Sequence, residues 1–192
     1  MNQRNLLDVD WSKIPAPTDD GAAAHLKGMT IPPVSLVATD DTCVTLSALP
    51  GRTVVFGYPR TGEPGKIALV DDWDMIPGAR GCTPQTCAFR DLFAELKAAG
   101  ANHVFGLSTQ NNTYQTEMAS RLHLPFPVLS DDKLQLTRAL DLPTMQVAGL
   151  TLIKRLALIV DDGRISHVFY PVFPPDRNAG DVLAWLKENR MG

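Results

Sequence analysis

Short apolar runs rich in β-branched and aromatic residues alternate with helical patterns along most of the chain. The runs that predict strands are VSLVA (34–38), RTVVFGY (52–58), HVFGLS (103–108), FPVLS (126–130), LTLIKRLALIV (150–160) and ISHVFYPV (165–172). Helical periodicity separates several of these runs, and a last helix is predicted at the end of the chain. This alternation is typical of an α/β domain built on a central mixed β-sheet flanked by helices.

The pattern also divides the chain into a short extension and one domain. Residues 1–30 predict an N-terminal extension with at most one short helix, around 22–27. A single compact domain is predicted over 31–192, because 192 residues are enough for one well-buried core and few for two. The segment 60–81 is rich in Gly and Pro and longer than an ordinary connection, and we interpret it as a functional insertion.

A helix is predicted directly after this insertion. Thr83 suits the N-cap, Pro84 suits the first helical position, and Gly100 marks the end. Between them, apolar residues recur at helical spacing at positions 89, 92, 93 and 96. Cys82 is therefore expected just ahead of the helix. Cys87 is expected on the side opposite the apolar stripe, outside the core.

The position of these two cysteines suggests redox chemistry. A thiol at a helix N-terminus meets unpaired N–H groups and the positive end of the helix dipole, which favour the reactive thiolate, so Cys82 is the better nucleophile candidate. In a regular helix the two Cα atoms would be about 8–9 Å apart, beyond the roughly 7 Å that a disulfide spans. Cys82 could then react in the wound helix, and Cys87 could attack its oxidised product once the first turn unwinds. The alternative is a chance pair of small apolar residues. A zinc site fits poorly, because the spacing matches no common zinc pattern.

Composition and charge narrow the possible partners and the compartment. The net charge is −3 and no basic run is present, which argues against a nucleic-acid or membrane partner and favours a small or neutral one. The N-terminus has no signal-peptide pattern, and the longest uncharged apolar run, LALIV, is too short to span a bilayer, so a cytoplasmic protein is expected. Three cysteines, an odd number, are expected to be reduced at rest.

Several motifs in order resemble the atypical two-cysteine peroxiredoxins of the bacterioferritin comigratory protein (Q-type) group. They are GCTPQTCAFRD, VVFGYPR, VFGLSTQ, LPFPVLSD, LIKRLALIVDDGRISHVF and VLAWLKENR, between about Pro32 and Met191. The resemblance implies a thioredoxin-like fold and a thiol peroxidase that reduces a hydroperoxide without a cofactor and is recycled by thioredoxin or a similar dithiol. It implies that Cys82 is the peroxidatic cysteine and Cys87 the resolving one. Pro59 would shield the thiolate, and Arg155 would lie beside it. Resolution within one chain needs no dimer, so a monomer or weak dimer is expected.

Arg155 stands out without the family as well. Lys154 and Arg155 interrupt an apolar run, and strand alternation would send them to opposite faces, one of them covered. A buried guanidinium needs an anion, and a thiolate with a developing oxyanion would serve. The alternative is a salt bridge to a carboxylate near a sheet edge.

The chain also departs from the family motif. Pro59 lies far ahead of Cys82 because of the insertion, and Ala79 stands where the family has a threonine. Thr61 or Thr83 could supply the missing hydroxyl, or peroxide reduction is slow, and Tyr58 is expected near the pocket. Because of Ala79, a redox sensor or a disulfide oxidoreductase on the same fold stays an alternative. Two further expectations are that Gln85 replaces a carboxylate of many relatives and that Cys43 is an inert buried thiol.

Overall fold

A central seven-stranded sheet organises the protein in a computed structural model, which describes residues 9–190. The strand bounds are β1 Ser35–Ala38, β2 Cys43–Thr45, β3 Arg52–Gly57, β4 His103–Ser108, β5 Val128–Ser130, β6 Thr144–Val147, β7 Leu150–Ile153, β8 Leu156–Asp161 and β9 Arg164–Phe169. The strands of the large sheet lie in the order β2–β1–β5–β4–β3–β8–β9, and β3, β4 and β5 are parallel neighbours, while the other pairs are antiparallel. Strands β6 and β7 form a separate antiparallel pair. The predicted mixed sheet flanked by helices is confirmed.

Both faces of the sheet are covered, which explains why β3 is buried along its whole length. Val54 and Phe56 of β3 belong to one hydrophobic cluster, and Val55 between them belongs to the cluster on the opposite face. The helices are α1 Cys82–Asp91, α2 Phe93–Ala98, α3 Asn112–Arg121, α4 Gln135–Ala139 and α5 Asn178–Glu188. The ring of Phe89 in α1 stacks on Phe56 with centroids 4.1 Å apart, which fixes α1 against the strand that precedes it in the chain.

Several element boundaries differ from the sequence predictions. The helix after the insertion begins at Cys82 rather than after Thr83, and it is interrupted at Leu92, where the backbone leaves the α region. Its predicted end at Gly100 is confirmed by the positive φ of 106° there. The run at 150–160 is two strands in two sheets rather than one. Residues 22–27 form successive turns and not a regular helix, and strand β6 had no sequence prediction.

The described part of the N-terminal segment packs on the domain. Leu26 is fully buried in the same cluster as Ile31. Residues 1–8 and 191–192 lie outside the described residues, so the ends of the predicted extension and domain, and Met191 of the motifs, are not described. Within 9–190, no helix combines the length and the apolar character needed to cross a membrane.

Candidate active site

The chain enters α1 through a glycine that no other residue could replace without strain. Gly81 is the N-cap and has a φ of 105°, in the left-handed region. A Cβ at this position would lie 2.6 Å from Pro175 Cγ and 2.6 Å from a ring carbon of Trp11. This close packing fixes the backbone directly before Cys82.

Cys82 is the first residue of α1 and is 3% exposed. Its Sγ accepts a hydrogen bond from Arg155 Nη2 at 3.2 Å and lies 3.6 Å from the carbonyl oxygen of Ala79, to which a thiol can donate. The first hydrogen bond of this helix runs from Gln85 N to Gly81 O, so the N–H groups of Cys82 and Thr83 precede the helical ladder. The sulfur therefore lies beside a cation and at the positive end of a helix.

Arg155 lies in the link between β7 and β8 and is 2% exposed. Its Nη2 lies within hydrogen-bond distance of three carbonyl oxygens of the turn before Cys82, those of residues 78, 79 and 80, at 3.1 to 3.3 Å. Its Nη1 donates to Gln85 Oε1 at 2.5 Å. Its Nε is buried and has no hydrogen-bond partner among the described residues. No carboxylate in the described part of the chain bonds to this guanidinium.

Gln85 connects Arg155 to the last helix. Its side chain is fully buried and its Nε2 donates to Asn178 Oδ1 at 2.9 Å. Asn178 is the first residue of α5 and is 1% exposed. In the sequence, Gln85 stands out only as a departure from the family motif, and nothing points to Asn178. A polar residue at a helix start is so common that it gives no signal of a buried contact.

Two of the other predicted site residues directly follow β3 in the chain. Tyr58 is fully buried and its hydroxyl donates to Gln115 Oε1 at 2.9 Å. Burial raises the pKa of Tyr58 well above its usual value, and the charge of Cys82 raises it further, which places the ring in the electrostatic range of the thiol. Pro59 is also buried, and its carbonyl oxygen accepts from Ser108 Oγ at 3.2 Å.

The two threonines that could replace the missing hydroxyl are placed differently. Thr83 is buried in the first turn of α1, beside Cys82. The Thr61 hydroxyl donates to Gln110 Oε1 at 3.1 Å, and no hydrogen bond joins it to Cys82 among the described residues. Ala79 is fully buried in a small apolar cluster with Trp73, which is a packing residue of the insertion. The side chain of Arg80 faces Asp74 at 3.3 Å.

Cys87 corrects one prediction of the sequence analysis. It is 7% exposed and belongs to the main core cluster, where an exposed position had been expected. All of the first six residues of α1 are buried whatever their polarity, because other elements cover the helix beyond its apolar stripe, and the cluster that holds Cys87 includes residues of both α3 and α5. Burial raises the pKa of the Cys87 thiol.

Cys43 was expected to be buried and is exposed, because it lies on the edge strand β2. All three cysteines are free thiols. The structure therefore brings together Cys82, Arg155 and the end of β3, and it places Cys87 five residues along the same helix in the protein interior.

A buried cysteine at a helix start, beside a buried guanidinium and next to the end of a central strand, defines a thiol-based redox site. The chain matches the Redoxin family model over residues 26–183. It is 32% identical over 167 residues to peroxiredoxin Bcp of Escherichia coli, covering 84% of this chain and 96% of that protein. It is 31% identical over 163 residues to chloroplastic peroxiredoxin Q of rice, where the match covers 84% of this chain and 66% of the relative. The chain belongs to the redoxin family, and its similarity within that family is to the peroxiredoxins of the Q and Bcp type.

Solved structures agree with this assignment. Peroxidoxin BcpB from Mycobacterium tuberculosis superposes with a TM-score of 0.69 at 27% identity, covering 87% of this chain and all of that one. Peroxiredoxin Q from Xanthomonas campestris superposes with a TM-score of 0.64 at 25% identity, over 81% and 90% of the two chains. The predicted thioredoxin-like fold is confirmed.

Proposed function

We propose that this protein is a thiol peroxidase that reduces hydrogen peroxide or organic hydroperoxides through Cys82. The observation that carries the proposal is the 3.2 Å contact between the Cys82 sulfur and a buried arginine at the start of a helix. A thiolate there is stabilised by the guanidinium and by the helix N-terminus. Family membership supports the same reaction class.

The first step is the attack of the Cys82 thiolate on one peroxide oxygen. A sulfur–oxygen bond forms as the oxygen–oxygen bond breaks, and the leaving hydroxide or alkoxide takes a proton and departs as water or alcohol. Negative charge develops on the leaving oxygen, and the available donors for it are Arg155 and the free N–H groups at the start of α1. The Nε of Arg155, which has no acceptor in the described part of the chain, supports this role, because a buried donor without an acceptor is costly unless a ligand supplies one.

The second step joins the two cysteines. The Cys87 thiol attacks the Cys82 sulfenic acid, a disulfide forms and water leaves. Because Cys87 lies five positions after Cys82 in the helix and is buried, the first turns of α1 have to unwind before the sulfurs can meet. A thioredoxin-type dithiol then reduces the disulfide by exchange and becomes oxidised itself.

Pro59, Tyr58 and the threonines take supporting roles in the proposal. Pro59 and Tyr58 shield the thiolate from the side of β3. Thr83, in the first turn of α1, is the better replacement for the hydroxyl lost at Ala79, because the Thr61 hydroxyl already bonds to Gln110. A resolution step within one chain is compatible with a monomer or weak dimer, and the need for a dithiol donor with a reduced resting state fits the cytoplasm.

The experiment is thiol loss and disulfide mapping. Reduced protein mixed with hydrogen peroxide is expected to lose two thiols, and tryptic digestion should give one peptide, residues 81–90, with both cysteines linked inside it. Cys82→Ser should abolish the fast loss, and Cys87→Ser should stop turnover with thioredoxin after a single oxidation. Thiol loss unaffected by Cys82→Ser, or a reaction no faster than that of a free thiolate, would contradict the proposal and favour a redox sensor.

A further inference from the structure

Gln85 and Asn178 form a chain of two buried amides that ends on the guanidinium of Arg155. The orientation of both amides follows from hydrogen-bond chemistry alone. Arginine can only donate, so the Gln85 atom that faces Arg155 has to be the oxygen. The Gln85 nitrogen then faces Asn178, whose oxygen has to accept. Arg155 therefore determines which atom donates and which accepts in both amides.

Neither amide carries a charge, so neither compensates the positive charge of Arg155. The other groups around the guanidinium are the carbonyl oxygens of residues 78, 79 and 80 and the Cys82 sulfur. A buried cation held only by neutral oxygens is destabilised unless an anion lies near it. Among these partners, only the sulfur can become an anion.

We propose that Gln85 and Asn178 are positioning residues that orient Arg155 without neutralising it, so that its buried charge is compensated by the Cys82 thiolate. The inference deepens the proposed function, on which it rests, by naming what holds the arginine in place. Gln85 sets the orientation of the guanidinium, and Asn178 acts through Gln85. Asn178 thus links the start of α5 to a sulfur on α1.

The other ionisable groups near Cys82 do not take the place of the Cys82 thiolate as the partner of Arg155. Tyr58 lies at the end of β3 and stays protonated at neutral pH, because burial raises its pKa. Other ionisable groups around the turn have partners of their own, such as Asp74 with Arg80, Asp176 with the Trp11 ring nitrogen, and Asp20 with Lys154.

The first test changes the charge and keeps the shape. In Gln85→Glu one carboxylate oxygen can still accept from Arg155, and a half-turn of the Asn178 amide lets its nitrogen donate to the other oxygen. In a Cys43→Ser, Cys87→Ser background, the pH midpoint of Cys82 ionisation is followed by the ultraviolet absorbance of the thiolate. The midpoint is expected to rise by about 1 pH unit or more, since a carboxylate now pairs with Arg155. An unchanged midpoint overturns the inference.

The second test removes the orientation and keeps the charge. Asn178→Leu leaves the Gln85 nitrogen without an acceptor, so the amide and the guanidinium lose their fixed orientation. The rate of peroxide reaction at pH values where Cys82 is fully ionised is expected to fall roughly 10- to 100-fold. If Asn178→Leu lowers the melting temperature, Asn178→Ser replaces it in this test, because the serine hydroxyl is too short to reach the Gln85 nitrogen. A plateau rate equal to that of the unsubstituted background overturns the positioning role of Asn178.

The control is Asn111→Asp, which adds one negative charge at the N-cap of α3, where the side chain accepts from Tyr114 N and does not contact Arg155. It should change neither the midpoint nor the plateau. If Cys82 reacts no faster with peroxide than a free thiolate in every variant, the proposed function fails. The absorbance titration still decides whether the amide chain controls the ionisation of Cys82.

Discussion

Arg155 is held in the site by contacts that no single stretch of sequence contains. Two adjacent charges in an apolar run indicate that one of them is covered, and the structure identifies Arg155 as the buried one, with Lys154 partly exposed. The partners of Arg155 come from the insertion, from α1 and, through Gln85, from α5. At this scale a sequence can name the reactive residues by their chemistry. It cannot name Asn178, because its role arises only when two helices pack together.

Alanine substitutions at Gly81 and Gly100, compared with each other, measure how tightly the turn before Cys82 is packed. Both have a positive φ, 105° and 106°, but a Cβ at Gly81 would overlap Pro175 and Trp11 at 2.6 Å, whereas a Cβ at Gly100 would meet no atom within 4 Å. Gly100→Ala therefore reports the cost of the backbone conformation alone, about 1 kcal/mol. Gly81→Ala is expected to lower the free energy of unfolding by roughly 1–3 kcal/mol more, because the overlap adds to the same strain. Urea denaturation measures both, and equal losses would show that the turn before Cys82 is loosely packed.

The helix α1 shows where element prediction from sequence works and where it stops. Its existence, the apolar stripe that continues into α2 and the end of α2 before Gly100 follow from periodicity, and Phe89 of α1 and Leu96 of α2 both lie in the main core cluster. The burial of Cys87 does not follow, since the cluster that holds it includes residues of α3 and α5, which lie far from it in the sequence. For the same reason a polar residue such as Gln85 can be fully buried in α1. Apolar periodicity indicates one buried face of a helix, whereas a helix that packs between two layers of the fold is buried on two faces.

The burial of Cys87 predicts a pH dependence of stability. Its pKa in the fold is raised above that of the unfolded chain, because burial favours the neutral thiol. The thiol therefore contributes stability that is complete below the unfolded-chain pKa of about 8.5, and this contribution is lost as pH rises through the folded-state pKa. The free energy of unfolding of the reduced protein is expected to fall more steeply between about pH 7 and about pH 10 than that of Cys87→Ala. Cys43→Ala, at an exposed thiol, is the control and should keep the steep slope. Parallel slopes for all three proteins would contradict the expectation.

At the scale of the whole molecule, the sequence predicts the mixed sheet but not the contact of its N-terminal segment with the site. The division into an extension over 1–30 and a domain over 31–192 stays a prediction, and the described part of that extension lies against the turn before Cys82. The Trp11 ring packs beside Gly81, and Pro17 lies 3.7 Å from where a Cβ of Gly78 would be. We call residues 11–20 the N-terminal strap. Such contacts join segments far apart in the chain, so no local pattern reports them.

Asp20 holds the C-terminal end of the strap. The Asp20 carboxylate pairs with Lys154 Nζ at 2.5 Å and accepts from the Tyr170 hydroxyl at 2.7 Å, and these partners, Lys154 first, hold its pKa well below the usual range. Beside this contact, a cavity of about 130 Å³ reaches Arg155 and is lined on one side by Pro17, Thr18 and Asp20. Because the lowered pKa belongs to an acid, the contact is present above the unfolded-chain pKa of about 3.9 and is lost as pH falls through the folded-state value.

Asp20→Asn is therefore expected to loosen the strap and expose Cys82. The rate at which iodoacetamide alkylates Cys82, read by mass spectrometry of the peptide 81–90, should rise roughly two- to fivefold, the range open to an exposed ion pair. Added salt should raise the rate in the unsubstituted protein and have less effect in the variant, since the screened interaction is already absent there. Asp19→Asn is the matched control, because the Asp19 side chain accepts a hydrogen bond from Gly21 N and makes no ion pair within residues 9–190. Alkylation rates in both variants equal to that of the unsubstituted protein would mean that the strap does not limit access to the sulfur, which is 3% exposed.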